Sequence, residues 1–140
     1  MSEESTTPDL VELTRQLIKP TNERDLDRLM YFYAPDAVWE MGPMGMGTFR
    51  GGAAVRGFIA DWFASYEEYE FEVEEVLDLG NGVSFSVLRQ QGRPVGSSGE
   101  VELRYAAVGV WEGEKIKRLT NYTDIEEARV DAEDLAEERA

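Results

Sequence analysis

After the strongest helical stretch of this chain the apolar period changes from 3.6 to 2, from Tyr69 onward, and that change restricts the fold classes open to it. Upstream, in GGAAVRGFIADWFASY (51–66), Val55, Phe58, Ile59, Trp62 and Phe63 recur at helical spacing, the stripe of a helix that faces a core. Downstream, Tyr69, Phe71 and Val73 alternate with Glu68, Glu70, Glu72 and Glu74, the period of a strand with one wet face. Helices followed by a run of strands describe an α+β domain.

The strand phase slips at Glu74-Glu75, before Val76, Leu77 and Leu79, which predicts a bulge that bends a long strand. Asn81-Gly82 closes a hairpin into VSFSVLRQ (83–90). A polar loop with Gly92, Pro94, Gly96 and Gly99 leads to VELRYAAVGVW (101–111), and a turn at EGEK returns the chain as IKRLTNY (116–122). Before the strong helix, Thr7 is placed to cap a helix that opens with Pro8 and Asp9, carries Leu10, Leu13, Leu17 and Ile18 on one face, and ends at Pro20. Asp25 caps a second helix, DLDRLMYFY (25–33), and AVWEM (37–41) reads as the first strand. The segments give three parts: a tail over 1–7, one domain over 8–130, and an acidic tail over 131–140 that follows a short helix. The expected architecture is a curved antiparallel sheet with its helices on one side and an internal pocket between them.

Charge excludes several partners. The 29 acidic and 14 basic side chains leave a net charge of −15, which repels nucleic acid and anionic membrane surfaces alike. No apolar run is long enough to span a bilayer and no signal-peptide pattern is present, so the expected location is cytoplasmic. The absence of cysteine removes disulfides and thiolate chemistry, and the absence of histidine removes Ser-His-Asp triads, Cys-His dyads and imidazole metal sites. The glutamates of 67–75 lack the spacing of a calcium loop, so neither a metal nor a cofactor is expected. Acid–base work would fall to carboxylates, tyrosine, lysine or a positioned water.

The stretches DLDRLMYFYAPDAVWE, GTFRGGAAVRGFIADWF and EKIKRLTNYTDIEEA, in this order, resemble the SnoaL-like group of the NTF2-like superfamily over residues 8 to about 130. The resemblance implies a cone-shaped α+β fold with its site inside the cone, and pairing of two copies through the outer face of the sheet. It does not imply one reaction, because the family includes isomerases, cyclases, epoxide hydrolases and proteins without chemistry. Matched to the steroid isomerases, the positions of the tyrosine, the aspartate base and the protonated aspartate fall on Leu17, Met41 and Ala106 or Ala107. Matched to limonene epoxide hydrolase, the water-activating aspartate falls on Asn121. Its arginine and second aspartate fall near Leu88 and Gln90, with Arg89 one residue away, and its tyrosine and asparagine near Trp39 and Met41. The cyclase-like members also keep an acid at about the Asn121 position. An amide can orient a water or a carbonyl but has no useful basicity.

Strand parity places Asn121 on one face with Leu119, which the resemblance implies is the face that the family uses for its site. The expected pocket comprises Trp39, Met41, Val55, Phe58, Ile59, Trp62, Leu88, Tyr105 and Asn121, with Asn121, Tyr105 and Arg89 as candidate catalytic groups. Tyr33, Tyr105 and Tyr122 offer phenols whose more usual role is packing, and for at least two of Arg89, Arg104 and Arg118 the expected role is pairing with nearby glutamates. Asp124 suits a helix cap and Asp61 a solvated face. The run MGPMGMGTFRGG (41–52) lacks the Gly-Lys-Ser/Thr of a P-loop and reads as a soft apolar rim over the mouth of the cone. The expected function is binding of a small, mostly apolar molecule. An isomerase, cyclase or epoxide hydrolase-like enzyme built around Asn121 is the alternative, and a homodimer whose cavity fills with its own side chains is the third possibility.

Overall fold

The structure is a computed structural model that describes residues 9–140. Asp9 stands at the N-cap of helix α1 (Leu10–Gln16), and its carboxylate accepts the Glu12 N–H at 3.1 Å. Thr7 and Pro8 lie outside the described residues. Pro20 does not end this helix. It sits inside a second short helix, α2 (Ile18–Asn22), and the break comes at Leu17, whose N–H turns back to Thr14 O at 3.2 Å. Pro20 has no N–H to return to Gln16, so two short helices replace one long one. Helix α3 (Leu26–Met30) is capped by Asp25 as expected, but it stops before Tyr33, which opens strand β1 (Tyr33–Glu40). The junction is held by the Ile116 N–H, which donates to Phe32 O at 2.8 Å.

After β1 come a single 3-10 turn (Gly42–Met44), a short strand β2 (Thr48–Arg50) and the long helix α4 (Gly52–Ala64). Four long strands follow: β3 (Tyr66–Gly80), β4 (Val83–Pro94), β5 (Val101–Glu112) and β6 (Lys115–Tyr122). The sheet order is β2-β1-β6-β5-β4-β3, every pair antiparallel except β1 with β6. The register of β3 on β4 shifts between Val73 and Glu75, at the expected bulge, and the sheet curves there. Asn81 (φ 58°) and Gly82 (φ 79°) make the two-residue hairpin, both in the left-handed region that an Asn-Gly pair tolerates.

Helices α1 to α4 lie on the concave side, where Leu10, Leu13, Leu29, Val55, Ile59 and Phe63 pack with Trp111 and Ile116. Asn22 also guards the free edge of β3: its amide donates to Phe71 O at 3.0 Å and accepts the Phe71 N–H at 2.8 Å, as a neighbouring strand would. Arg24 donates to Phe63 O at 2.7 Å and Tyr66 O at 2.8 Å, which satisfies carbonyls where α4 gives way to β3.

The last helix, α5 (Ile125–Glu138), corrects the expectation that all helices share one side. It lies on the convex face, where Ala128, Ala132 and Ala136 pack against Val83, Phe85, Val87, Ala106, Val108 and Tyr122. It is also longer than the short helix expected, because the stretch read as an acidic tail continues it to Glu138. The physical reason is plain in β4, whose odd-numbered residues Val83, Phe85 and Val87 are more apolar than the even-numbered ones and need their own cover.

Candidate functional site

A cavity of about 280 Å³ lies between the concave face and helices α1, α2 and α4. Strand parity builds its floor. Ser84, Ser86, Leu88 and Gln90 of β4, Leu103, Tyr105, Ala107 and Trp111 of β5, and Leu119 and Asn121 of β6 all face it. Trp39 comes from β1, and its partner across the parallel ladder is Leu119. The helices supply Thr14, Leu17, Ile18, Thr21, Phe58, Ile59 and Trp62.

Eight of the lining residues are aromatic. Trp39 meets Phe58 edge-on at 5.2 Å and stacks on Tyr33 at 6.2 Å, and at the other end Trp62 stands 5.3 Å from Tyr69 and 6.0 Å from Phe71. No lysine, arginine, aspartate or glutamate lines the cavity among the described residues. Its polar groups are neutral. Ser84 accepts the Trp111 indole N–H at 2.9 Å, whereas Asn121 Oδ1, Trp39 Nε1 and Thr14 Oγ1 are buried without a hydrogen-bond partner. Unpaired buried groups are rare in folded proteins, and these three come from both the sheet and the helical side of the cavity.

Of the expected pocket, Trp39, Met41, Phe58, Ile59, Trp62, Leu88, Tyr105 and Asn121 share this cavity. Val55 does not: it is fully buried one turn back in α4, where it packs in the helix–sheet core. Arg89 is also misplaced by the sequence reading. Parity turns it to the convex face, where it pairs with Glu72 at 2.8 Å and with Glu102. Arg104 pairs with Glu74 at 2.6 Å on the same face, Arg118 is exposed, Asp61 is exposed on α4, and Asp124 caps α5 through the Glu127 N–H at 3.0 Å. Tyr33 lines the cavity, but Tyr122 lies under α5 and donates to Asp131 at 2.9 Å. Among the positions matched to the steroid isomerases, Leu17, Met41 and Ala107 face the cavity and are apolar, while Ala106 packs on the opposite face of the sheet under α5.

The methionine-glycine run is ordered by its own backbone. The Met41 N–H donates to Gly47 O at 2.7 Å, and the Met46 N–H returns to Met41 O at 3.0 Å. Both Met41 and Met46 line the cavity, Met41 buried and Met46 half exposed. Sequence reasoning missed Ser84, Ser86 and Gln90, which are buried polar residues of the cavity floor. The period-2 pattern of VSFSVLRQ carried the signal, since it puts both serines on one face with Leu88 and Gln90.

Burial pushes the phenols of Tyr33 and Tyr105 up from the ordinary tyrosine range. It also pushes Tyr69 up to about 12 against the pull of Arg24, and Tyr122 up together with its bond to Asp131. These four therefore remain protonated and act as hydrogen-bond groups, not bases. Each stabilises the fold fully below the unfolded tyrosine value of about 10, and that stabilisation is lost as pH rises through the higher folded values. Phenolate absorbance from these residues is expected to appear only together with loss of circular dichroism, above about pH 10. Ionisation of all four near that value, with the fold intact, would contradict the burial argument.

An α+β cone with an unclosed six-stranded sheet and an interior cavity is the NTF2-like fold. The chain belongs to the SnoaL-like family within it, since the family model, described as a SnoaL-like domain, matches residues 14–119. Among solved structures it is similar to an NTF2-like protein of unknown function from Burkholderia pseudomallei, with a TM-score of 0.71 and 20% identity over 90% of this chain and 98% of that one. It is also similar to a protein with a ketosteroid isomerase-like fold from Catenulispora acidiphila in complex with trimethylamine, with a TM-score of 0.69 and 18% identity over 84% and 86% of the two chains. A third is TerC co-crystallized with polyporic acid, with a TM-score of 0.68 and 16% identity over 89% and 97%. At these identities the likeness is one of fold. No curated protein matches the chain in sequence.

Proposed function

We propose that the chain binds a small, mostly apolar molecule inside the cone. The observation that carries this reading is the cavity of about 280 Å³, walled largely by aromatic and aliphatic side chains and, among the described residues, free of formal charge. An engineered apolar cavity of about 150 Å³ is already enough to hold benzene. The present one has room for two fused rings. Flexible Met41 and Met46 at its edge suit an apolar guest, because thioether side chains adapt their shape at little cost. A homodimer of this chain would pair through surface outside the footprint of α5, since the apolar half of the convex face is already occupied.

Naphthalene is a suitable first probe. Binding by titration calorimetry is expected, with a rise in melting temperature, because a ligand at 100 times its Kd adds about 2.7 kcal/mol to the stability of the state it binds. No heat and no shift, for naphthalene or its simple derivatives, would sink the binding reading.

One observation favours a second reading, that of an enzyme. Asn121 is a buried amide in the cavity lining, a residue type that can orient a water or, through its N–H, a substrate carbonyl. Turnover of enones and epoxides by the native protein, reduced in Asn121→Ala, is the expected result under that reading. Equal rates in the two proteins would remove Asn121 from any mechanism.

A further inference from the structure

Resting on the binding reading above, we infer that Met46 is a reversible oxidation site at the edge of the cavity, and that its sulfoxide weakens the hold on an apolar guest. The chain has no cysteine, so thioethers are its only sulfur groups, and Met41, Met44 and Met46 fall close together in one run. Met41 and Met46 both line the cavity, yet Met46 is 51% exposed and Met41 only 5%. Met46 therefore borders the cavity and the solvent together. An oxidant dissolved in water reaches it before Met41, because access governs which thioether reacts.

The loop is held by its backbone and not by this side chain. The Met46 N–H donates to Met41 O at 3.0 Å, the Met41 N–H to Gly47 O at 2.7 Å and the Gly45 N–H to Gly42 O at 2.8 Å. Gly45 (φ 79°) and Gly47 (φ 85°), on either side of Met46, take the left-handed positions of the turn. A change at the sulfur thus leaves the loop in place and alters what a guest meets. With hydrogen peroxide as the oxidant the step is balanced. The sulfur attacks one peroxide oxygen, an S–O bond forms as the O–O bond breaks, and the other oxygen leaves as water with both protons. Sulfur is oxidised and the peroxide reduced by the same electron pair. The product is a polar sulfoxide on a lining that is otherwise largely aromatic and aliphatic. An apolar guest then either strips water from the S–O group or gives up its contact with this edge. Methionine sulfoxide reductases return the thioether at the expense of a dithiol, which becomes a disulfide while the oxygen leaves as water.

The test treats the whole chain with dilute hydrogen peroxide and follows each methionine by peptide mass spectrometry. Sulfoxide is expected at Met46 before Met41, and before Met30, which is partly covered at the end of α3. With circular dichroism unchanged, naphthalene titrated by calorimetry is expected to bind the oxidised protein about three- to tenfold more weakly, the size of effect of covering part of one polar group. Reductase treatment is expected to restore the affinity. Two variants locate the effect: Met46→Leu is expected to bind naphthalene equally before and after peroxide, and Met44→Leu to keep the response. Oxidation of Met41 or Met30 ahead of Met46, undiminished affinity in the Met46 sulfoxide, or a response that persists in Met46→Leu or is lost in Met44→Leu overturns the inference and leaves the binding reading intact. If naphthalene and its simple derivatives do not bind the untreated protein, both readings fail together.

Discussion

A chain ended at Thr123, without α5, is expected to lose its folded monomer. Helix α5 is a minor element by hydropathy, yet it covers Val83, Phe85, Val87, Ala106 and Val108, all buried on the convex face. Full burial of a Val or Phe side chain stabilises by about 1.5–3 kcal/mol. Even half of that, over Val83, Phe85, Val87 and Val108, is several kcal/mol against a net stability of about 5–15 kcal/mol for a domain of this kind. The polar ties lost with the helix act in the same direction. Arg129 sits 4.7 Å over the Phe85 ring, Asn81 donates to Ala136 O at 2.7 Å, and Arg139 donates back to Asn81 O at 2.9 Å. The uncovered face would be a contiguous apolar patch on the convex side of the sheet, the kind of surface that drives association. Light scattering on the truncated chain should report dimers or aggregates, and its thermal transition should fall or vanish. A truncated monomer that melts like the full chain would show that α5 is an ornament.

What the sequence revealed and what it hid follow the same physical divide. Helix α4, the Asn81-Gly82 hairpin and the bulge near Glu74 were legible because each rests on a local rule: a period, a dipeptide, a phase slip. Eight of nine expected wall residues share the cavity for the same reason, since parity fixes a face once the strand is found. Val55 failed because one side of a helix points at both a cavity and a core, and period alone does not divide them. Arg89 failed by one residue, which on a strand means the opposite face. Strand β2 is three residues long and has no period to read. The position of α5 depends on alanines that look neutral in a sequence but let a helix approach a sheet closely, so its role was visible only from the sheet side, in Val83, Phe85 and Val87. Ser84, Ser86 and Gln90 were hidden by the habit of assigning polar strand residues to solvent. Here the more polar face of β4 is the inner one, because the cavity, not the bulk solvent, is what it meets.

Trp62→Ala is expected to cost about 3–5 kcal/mol, the range for removing a large aromatic side chain from a packed site. Its ring stands within 5.6 Å of Phe63, 6.5 Å of Tyr66, 5.3 Å of Tyr69 and 6.0 Å of Phe71, so one truncation strips contacts from four aromatic neighbours. The site cannot collapse around the gap, because Phe71 and Tyr69 belong to a strand held by β4 on one side and by Asn22 on the other. The new space would therefore merge with the cavity that Trp62 already lines. This separates two effects that are often confused. Denaturant unfolding should show a lowered midpoint, while naphthalene affinity should fall because a wider cavity leaves the guest without contacts on one side. Trp62→Phe keeps a ring at the position and should recover most of both losses. A Trp62→Ala protein with native stability and native affinity would mean that this wall of the cone supports neither the fold nor a guest.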